Sequence, residues 1–247
     1  MIKIDDGYQF GLGVFETIAI EEGIPLFLDR HLKRANRSLQ TLGVANQITE
    51  SEVVEYLKNK FKEDTTWKKH SVLKIMLSAE NKIFIMRKNP YRKEKYEKGF
   101  HLSISKVRRN ETSPLVSHKT MNYGENIIEK RKAQEQGVDE PIFVNTRQEI
   151  TEGSCTNIFF VCKGVIYTPP LSSGLLPGIV REAIMENAGE IYPITEKIVK
   201  KEELHSMEEC FVTNSLLGIM PVTKIEDIEF RPGKITAYYQ KIYADLR

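Results

Sequence analysis

The sequence predicts an α+β protein in which helices and strands are mixed and the chain forms two lobes. Short apolar stretches typical of strands are interleaved with amphipathic helical stretches, without the regular strand–helix alternation of a parallel sheet. A polar stretch over residues 108–114 contains residues that break regular structure. We therefore predict a small N-terminal lobe over 1–107, a linker over 108–114 and a larger C-terminal lobe over 115–247.

The N-terminal half predicts one strand, two helices and then three more strands. Glycines give the backbone a turn near the start of the chain, ahead of a strand that ends at Ile20. Asp29 is placed to cap a helix that Gly43 ends. Thr49 and Glu52 form a capping-box pair ahead of a second helix. The later predicted strands are Ser71–Ser78, Ile83–Arg87 and Phe100–Val107, the last with apolar and polar residues in alternation.

The C-terminal half contains three further helical patterns and five apolar runs of strand length. Predicted helices are Asn122–Gln136, Gly178–Asn187 and about 235–246. Predicted strands are Pro141–Asn145, Thr156–Cys162, Val165–Thr168, Phe211–Thr213 and Met220–Ile225.

Composition excludes several classes of function. The 247 residues include 36 Lys and Arg against 34 Asp and Glu, a formal net charge of +2 that gives no reason to expect a nucleic-acid partner. No apolar run approaches the roughly 18 residues of a membrane span, so no membrane partner is expected. The N-terminus lacks the features of a secretory signal, and a cytoplasmic location follows as the expectation.

Metal and dinucleotide sites are also not predicted. The three cysteines lack C-x-x-C spacing and the five histidines lack any metal-binding spacing, so we expect no metal. Gly11-x-Gly13 leads into a strand rather than a helix and has no third glycine, so it fails as a dinucleotide fingerprint. Spacing alone does not join the remaining polar candidates into one site.

The order of five motifs is more informative than any one of them. The motifs are Asp6-Gly-Tyr-Gln-Phe-Gly-Leu-Gly-Val-Phe-Glu-Thr17, His31-Leu-Lys-Arg34, Lys119-Thr-Met-Asn-Tyr123, Thr151-Glu-Gly-Ser-Cys-Thr-Asn-Ile-Phe159 and Leu176-Pro-Gly-Ile-Val-Arg181. This series resembles that of the class IV pyridoxal-phosphate aminotransferases. The resemblance implies a small N-terminal α/β lobe, a larger C-terminal lobe with a mixed, barrel-like sheet, and pyridoxal 5'-phosphate bound between them. It also implies a small-molecule substrate and a homodimer.

The resemblance assigns roles to four side chains. Lys119 would bond to the cofactor as a Schiff base and later shuttle a proton, for which its amine must be neutral part of the time. Glu152 would face the pyridine nitrogen and keep it protonated. Tyr123 would donate to the phenolic oxygen, and Arg34 would pair with the phosphate.

Four further residues are implied near the phosphate. The backbone amides of Ile179 and Val180 open a helix, and a helix N-terminus is suited to an anion. Many relatives carry Thr at position 180, so Val180 removes a possible hydroxyl contact. Asn214 and Ser215 would lie beside the phosphate and the substrate.

Two features bear on the reaction. The segment from Phe211 to Val222 resembles the Thr-Asn-Ser-Leu…Pro-Val stretch of 4-amino-4-deoxychorismate lyases. Ala19 stands where branched-chain enzymes carry Arg and D-amino-acid enzymes carry Lys. The leading hypothesis is therefore a lyase that releases pyruvate and leaves 4-aminobenzoate, a folate precursor. The substrate has two carboxylates, so a cation is expected near it. Candidates for contact with the substrate are Phe15, Arg87 and Arg92.

Two alternatives stay open. One is a class IV amino-acid transaminase that acts on D-amino or branched-chain amino acids. The other is a cofactor-binding relative without catalytic activity. Family members usually begin with an extra strand pair before the Asp-x-Gly motif, whereas this sequence starts almost at the motif.

Overall fold

The computed structural model describes residues 1–189 and 191–247, and these divide into two compact units. The first unit contains Met1–Tyr91 and His118–Tyr123, and the second contains Arg92–Ser117 and Gly124–Arg247. This division differs from the predicted boundary at 107–115, because the strand Phe100–Arg109 pairs only with strands of the second unit. The short segment 118–123 returns to the first unit.

The described residues form seven α-helices and thirteen strands. The helices are α1 Asp6–Phe10, α2 Leu28–Thr41, α3 Glu50–Glu63, α4 Lys93–Lys98, α5 Gly124–Glu135, α6 Ile179–Glu186 and α7 Lys234–Asp245. The strands are β1 Gly13–Glu21, β2 Ile24–Pro25, β3 Ser71–Ser78, β4 Lys82–Lys88, β5 Phe100–Arg109, β6 Glu140–Asn145, β7 Ile150–Gly153, β8 Asn157–Cys162, β9 Val165–Thr168, β10 Ile194–Glu196, β11 Glu209–Asn214, β12 Gly218–Ile225 and β13 Ile228–Glu229. Short 3-10 turns cover Thr65–Lys68, Leu171–Ser173 and Lys201–Ser206.

The first unit contains an antiparallel sheet of four strands in the order β2-β1-β3-β4. Alternate residues of these strands face helices α2 and α3, as the period of two in a strand requires. Their buried side chains form one apolar core, which includes Val14, Ile18, Leu73, Ile75, Leu77, Leu32, Leu39, Val53 and Leu57. The opposite face of the sheet carries the remaining residues of the same strands.

The helix signals of this unit are confirmed with one exception. Thr49 accepts a hydrogen bond from the amide of Glu52, whose side chain returns to the Thr49 amide, so the predicted capping box is present. The predicted cap of α2 is wrong, because Phe27 occupies the cap position and Asp29 lies inside the first turn. An acidic residue in a first turn still stabilises the helix through its dipole. The short α1, capped by Asp5, was not predicted because five mostly exposed residues show no helical periodicity.

The second unit is built on a sheet of nine strands. Eight follow the order β10-β9-β8-β11-β12-β5-β6-β7, and β13 pairs with β12. An additional pairing between β7 and β8, at Glu152 and Asn157, closes six of the strands into a ring. The pairs β12–β5, β5–β6 and β9–β10 are parallel and the others are antiparallel. The predicted mixture of helices with a mixed, barrel-like sheet is therefore confirmed.

The alternation predicted for β5 holds only in its first half. Phe100 and Leu102 are buried as expected, but Ile104 is only partly buried and Ser105 is buried. The pairing with β6 is irregular after Ile104, and such an irregularity changes which face the following side chains occupy. Ser105 then donates a hydrogen bond to Glu129 of α5, 2.6 Å away. In the part of the chain that the structure describes, no helix has the length and apolar character of a membrane span.

Candidate active site

The segment that carries Lys119 pairs with the start of β1 in the first unit. The Phe15 amide donates to the Lys119 carbonyl at 2.9 Å, and the Met121 amide donates to the Gly13 carbonyl at 2.9 Å. Gly13 must lack a side chain, because a Cβ there would lie 2.7 Å from the Leu77 carbonyl oxygen and 2.8 Å from the Met121 sulfur. Backbone pairing therefore fixes where the lysine stands along β1.

Two aromatic rings hold the Lys119 amine. Its Nζ atom lies 4.5 Å from the ring centre of Phe15 and 5.1 Å from that of Tyr123. The two rings meet edge to face with centres 5.0 Å apart. Ring faces attract an ammonium group, and this contact restricts the orientation of a flexible side chain. The structure thus brings together three of the sequence-predicted residues.

A buried ionic cluster lies on the helix-facing side of β1. Arg34 of α2 donates from Nε to Glu16 Oε1 at 2.8 Å and from Nη2 to Oε2 at 2.6 Å. Nδ1 of His31 lies 2.6 Å from Glu16 Oε2. The exposed fractions are 2% for Glu16, 1% for His31 and 7% for Arg34. Because His31 and Arg34 are three residues apart on one helix, both reach the same carboxylate.

Opposing effects set the protonation states of this cluster. Burial alone would raise the pKa of Glu16, but the charges and hydrogen bonds of Arg34 and His31 outweigh it and lower that pKa to about 2. Burial lowers the pKa of His31, and the positive charges of Arg34 and Lys119 lower it further against the opposing effect of Glu16. Glu16 is therefore ionised at neutral pH and His31 is neutral. The Nε2 atom of His31 is buried and has no hydrogen-bond partner among the described residues.

Arg34 was predicted from the resemblance, but its two partners were not assigned roles. Glu16 and His31 both stand inside quoted motifs, Phe-Glu-Thr and His-Leu-Lys-Arg. The available signal was a carboxylate among apolar residues inside the predicted strand that ends at Ile20, since a buried carboxylate needs a cation.

In the second unit, β7 presents Glu152. Its Oε1 accepts from Arg109 Nη2 at 3.3 Å, and its Oε2 accepts from the Leu176 amide at 3.0 Å. The guanidinium of Arg109 stacks over the Phe143 ring at 4.0 Å. The same guanidinium donates from Nη1 to Asn126 Oδ1 at 3.1 Å. Sequence reasoning missed Arg109, which lies inside the predicted linker 108–114, whereas in the structure it is the last residue of β5.

In the second unit, Asn157 of β8 lies between β7 and β11 and contacts the residues just before α6. Asn157 pairs with Glu152 on one side and with Thr213 on the other. Its side chain donates to the Leu176 carbonyl at 2.9 Å. Gly178 caps α6, and a Cβ on it would overlap the Asn157 side-chain oxygen. Gly178 is therefore required by a close approach rather than by an unusual φ.

The first turn of α6 contains Ile179 and Val180. Amides at this position have no acceptor within the helix and carry the positive end of its dipole. The Val180 side chain is buried in the apolar core, so only its backbone amide can serve a ligand. This agrees with the role that the resemblance gives these two residues, which stays a prediction.

Asn214 and Ser215 lie at the turn between β11 and β12. The Asn214 side-chain oxygen accepts from the amides of Leu216 at 2.8 Å and Leu217 at 2.9 Å, and its nitrogen donates to the Cys155 carbonyl at 3.2 Å. These bonds hold the turn in shape. Ser215 follows in that turn and is partly buried.

The two arginine candidates for substrate contact fall in different units. Arg87 is exposed on β4 of the first unit, whereas Arg92 is exposed at the start of α4 in the second. Arg87 stands opposite Val72 of β3, on the sheet face that also carries Phe15. Arg87 therefore shares a sheet face with Phe15 in the first unit. Arg92 belongs to the second unit and is not on that sheet.

Comparison with known proteins finds relatives over the whole chain. The family model described as amino-transferase class IV matches residues 13–225. The aminodeoxychorismate lyase of Bacillus subtilis is 29% identical over 254 residues, covering 97% of this chain and 87% of that protein. The D-alanine aminotransferase of Bacillus licheniformis is 30% identical over 261 residues, covering 96% and 88%.

A solved structure gives the same result for the fold. The crystal structure of a putative 4-amino-4-deoxychorismate lyase from Legionella pneumophila matches with a TM-score of 0.90 at 28% identity. The match covers 100% of this chain and 96% of that one.

Proposed function

Because the chain belongs to the class IV aminotransferase family, we propose that it is a pyridoxal-phosphate-dependent lyase that converts 4-amino-4-deoxychorismate to 4-aminobenzoate and pyruvate. The observation that carries the cofactor part is the amine of Lys119, held on the rings of Phe15 and Tyr123. An amine on a backbone segment that is hydrogen-bonded to β1, and oriented by two rings, is suited to covalent and proton-transfer chemistry.

The set of polar groups fits the cofactor, on which the family depends. An amine from Lys119 and a phenol from Tyr123 match the aldehyde and the phenolic oxygen. Glu152 supplies a buried carboxylate for the ring nitrogen. The first-turn amides of α6 suit the phosphate. The resemblance also assigns Arg34 to the phosphate, and Glu16 already accepts hydrogen bonds from two nitrogens of that guanidinium.

The choice of a lyase depends on residues 211–222. In the structure this segment forms the hairpin of β11 and β12, and the Asn214 side chain determines its turn. The sequence of this hairpin resembles that of the lyases. The similarity to an aminodeoxychorismate lyase over 97% of the chain supports the same choice.

Each of these residues has a separate role in the proposed reaction. When bound, the cofactor supplies a protonated pyridine ring that withdraws electrons from the substrate carbon bearing the amino nitrogen. Lys119 Nζ removes the proton from C4 of the substrate. The C3–O bond breaks with its electron pair on the oxygen of the leaving enolpyruvate, and a double bond between C3 and C4 makes the ring aromatic. The enolpyruvate takes up a proton at its CH2 carbon and becomes pyruvate. Phe15 and Tyr123 orient Lys119 for this transfer. Glu152, held by the Leu176 amide, keeps the proton on the pyridine nitrogen.

The test follows from the stoichiometry. An elimination needs no amino acceptor, so the purified protein with cofactor should release 4-aminobenzoate and pyruvate in equal amounts without any 2-oxo acid. Pyruvate is measured by coupling to lactate dehydrogenase and 4-aminobenzoate by chromatography. Absence of both products with cofactor bound would exclude the lyase.

A transaminase is the second candidate, because a D-alanine aminotransferase is 30% identical over 96% of the chain. This function requires a 2-oxo acid. It predicts transfer of the amino group from D-alanine or a branched-chain amino acid to 2-oxoglutarate, followed as the new amino acid. Failure with both classes of donor would remove it.

A spectrum separates both enzymes from a cofactor-binding relative without activity. The visible absorption band of the bound cofactor should disappear in Lys119→Ala and persist in Lys58→Ala, which changes an exposed lysine of α3. A relative without activity would show the band and neither reaction. A wild-type protein that stays colourless after addition of pyridoxal phosphate would refute the cofactor assignment.

We also propose that the chain acts as a homodimer, as the resemblance implies, because the family builds its active sites near a dimer interface. Light scattering coupled to size exclusion should then give twice the chain mass of 28.5 kDa. A mass of one chain at the concentration used in the activity assay would contradict this.

A further inference from the structure

Lys74 lies at the centre of the first unit's sheet and has no role in the function proposed above. On β3 it stands opposite Thr17 of β1 and Ile85 of β4. Its neighbours Leu73 and Ile75 face the helices and are fully buried in the apolar core. Because strand residues alternate between faces, Lys74 belongs to the other face, together with Phe15.

Lys74 and Lys119 contact the same aromatic ring. The Nζ atom of Lys74 lies 4.8 Å from the ring centre of Phe15, and that of Lys119 lies 4.5 Å from it. The two amines therefore lie no farther apart than the sum of these two distances, about 9 Å. Lys119 comes from a separate segment, so this placement depends on pairing across the sheet rather than on sequence spacing.

A second cation, Arg87, accompanies Lys74 on this face. Within residues 1–189 and 191–247, neither side chain has an acidic or hydrogen-bond partner in the structure. Burial lowers the pKa of Lys74, and the positive charge of Arg87 lowers it further. By contrast, Lys82 on the same strand as Arg87 is bound to Glu52 at 2.5 Å. Two neighbouring cations, one of them partly buried, are an unfavourable arrangement that a bound anion would relieve.

The substrate of the proposed function carries an anion at the required distance. Its ring carboxylate at C1 lies across the six-membered ring from the amino nitrogen at C4. Since Lys119 removes its proton from above the ring, a group that binds this carboxylate must stand roughly 8 Å from the Lys119 amine, with one contact distance at each end. The contacts of both lysines with the Phe15 ring allow this separation for Lys74.

From this geometry, and on the basis of the proposed function, we infer that Lys74 binds the ring carboxylate of the substrate, with Arg87 as a second, more exposed cation. Lys74 is then the residue that selects substrates with a carboxylate para to the reacting amine. Lys119 acts on the amine end of the same molecule.

The test uses ligand binding, which does not depend on turnover. Isothermal titration of the cofactor-loaded protein with 4-aminobenzoate is compared with titration with aniline, which lacks the carboxylate. We expect Lys74→Met to weaken binding of 4-aminobenzoate about tenfold or more and to leave aniline unchanged, since only a charged hydrogen bond is lost. Arg87→Met should produce a smaller loss in the same direction.

Two further variants control for structure. Lys74→Arg retains the charge and should keep the affinity for 4-aminobenzoate within about threefold of wild type. Lys88→Met removes the next cation of β4, on the opposite face of the sheet, and should change neither ligand. Equal weakening of both ligands in Lys74→Met, or unchanged affinity for 4-aminobenzoate in that variant, would overturn the inference.

The result is separable from the proposed function. A wild-type protein that forms 4-aminobenzoate, together with a Lys74→Met variant of unchanged affinity, refutes the role of Lys74 alone. If Lys74→Met does not fold, Arg87→Met and Lys74→Arg decide the question. A weaker affinity for 4-aminobenzoate, but not for aniline, in Arg87→Met and an affinity close to wild type in Lys74→Arg support the inference, and any other pattern contradicts it.

Discussion

Glu16→Gln removes the one negative charge that Arg34 and His31 share. Glutamine has nearly the same volume and can still accept a hydrogen bond, so the change isolates the charge. The variant leaves the guanidinium of Arg34 buried without a carboxylate. Removing one partner of a buried ion pair is strongly destabilising for this reason.

The magnitude follows from the pKa of Glu16. Its value falls from 4.5 to about 2 in the folded protein, which corresponds to roughly 3 kcal/mol of stability at neutral pH. Because the folded-state pKa is below the unfolded value, this contribution is complete above pH 4.5 and is lost as the pH falls from 4.5 to about 2. His31 has a lowered pKa as well, so protonation below about pH 6.5 destabilises the fold in both proteins.

The assay is urea unfolding, followed by the fluorescence of Trp67. This is the only tryptophan of the chain, and it lies in the first unit, as does Glu16. The difference in unfolding free energy between wild type and Glu16→Gln should be roughly 3 kcal/mol at pH 7 and should shrink below pH 4. Glu55→Gln, at an exposed site of α3, is the matched control and should unfold as wild type does. A Glu16→Gln protein as stable as wild type at pH 7 would refute the reasoning.

Three other changes probe the second unit. Glu152→Gln should slow the proposed reaction at least tenfold without loss of the visible cofactor band, because the variant removes the charge that holds the proton on the pyridine nitrogen. Stopped-flow kinetics measure the rate, and an unchanged rate would contradict this role of Glu152. Arg109→Met removes the partly buried cation that donates to Glu152 and should lower the thermal midpoint by several degrees in calorimetry, whereas an unchanged midpoint would show that the pair contributes nothing. Gly178→Ala forces a Cβ against Asn157 and should lower both stability and affinity for the cofactor, measured by melting and by titration. Gly124→Ala is the control, since a Cβ there meets no atom within 4 Å, and equal effects of the two changes would contradict the steric argument.

Local signals in the sequence are sufficient to predict most of the helices and strands. The capping box of Thr49 and the alternation at the start of β5 depend on neighbours within a few residues. The order of the motifs is sufficient to predict Lys119 and Tyr123 as site residues, and in the structure both contact the ring of Phe15. The bounds of the two units could not be obtained this way, because the return of 118–123 to the first unit depends on backbone pairing with Gly13 and Phe15.

Two of the residues that sequence reasoning missed, Lys74 and Arg109, depend on long-range register. Lys74 is one of 36 lysines and arginines, and nothing near it in the chain distinguishes it from an exposed lysine. Only the pairing of β1 with β3 places it beside Phe15. Arg109 likewise becomes a partner of Glu152 only because β5, β6 and β7 lie side by side. Such pairs of residues cannot be predicted without knowing the order of the strands in the sheet.

Strand β1 explains why Phe15 and Glu16 must be consecutive. Successive residues of a strand point to opposite faces, so Phe15 meets the two lysines on one face while Glu16 meets α2 on the other. A shift of one residue would bury the ring among the helices and turn the carboxylate towards the amines. The carboxylate would then neutralise Lys119 instead of Arg34. Separation of the two faces therefore keeps the negative charge of Glu16 away from the amine that must transfer a proton, while the positive charge of Lys119 still helps to keep His31 neutral.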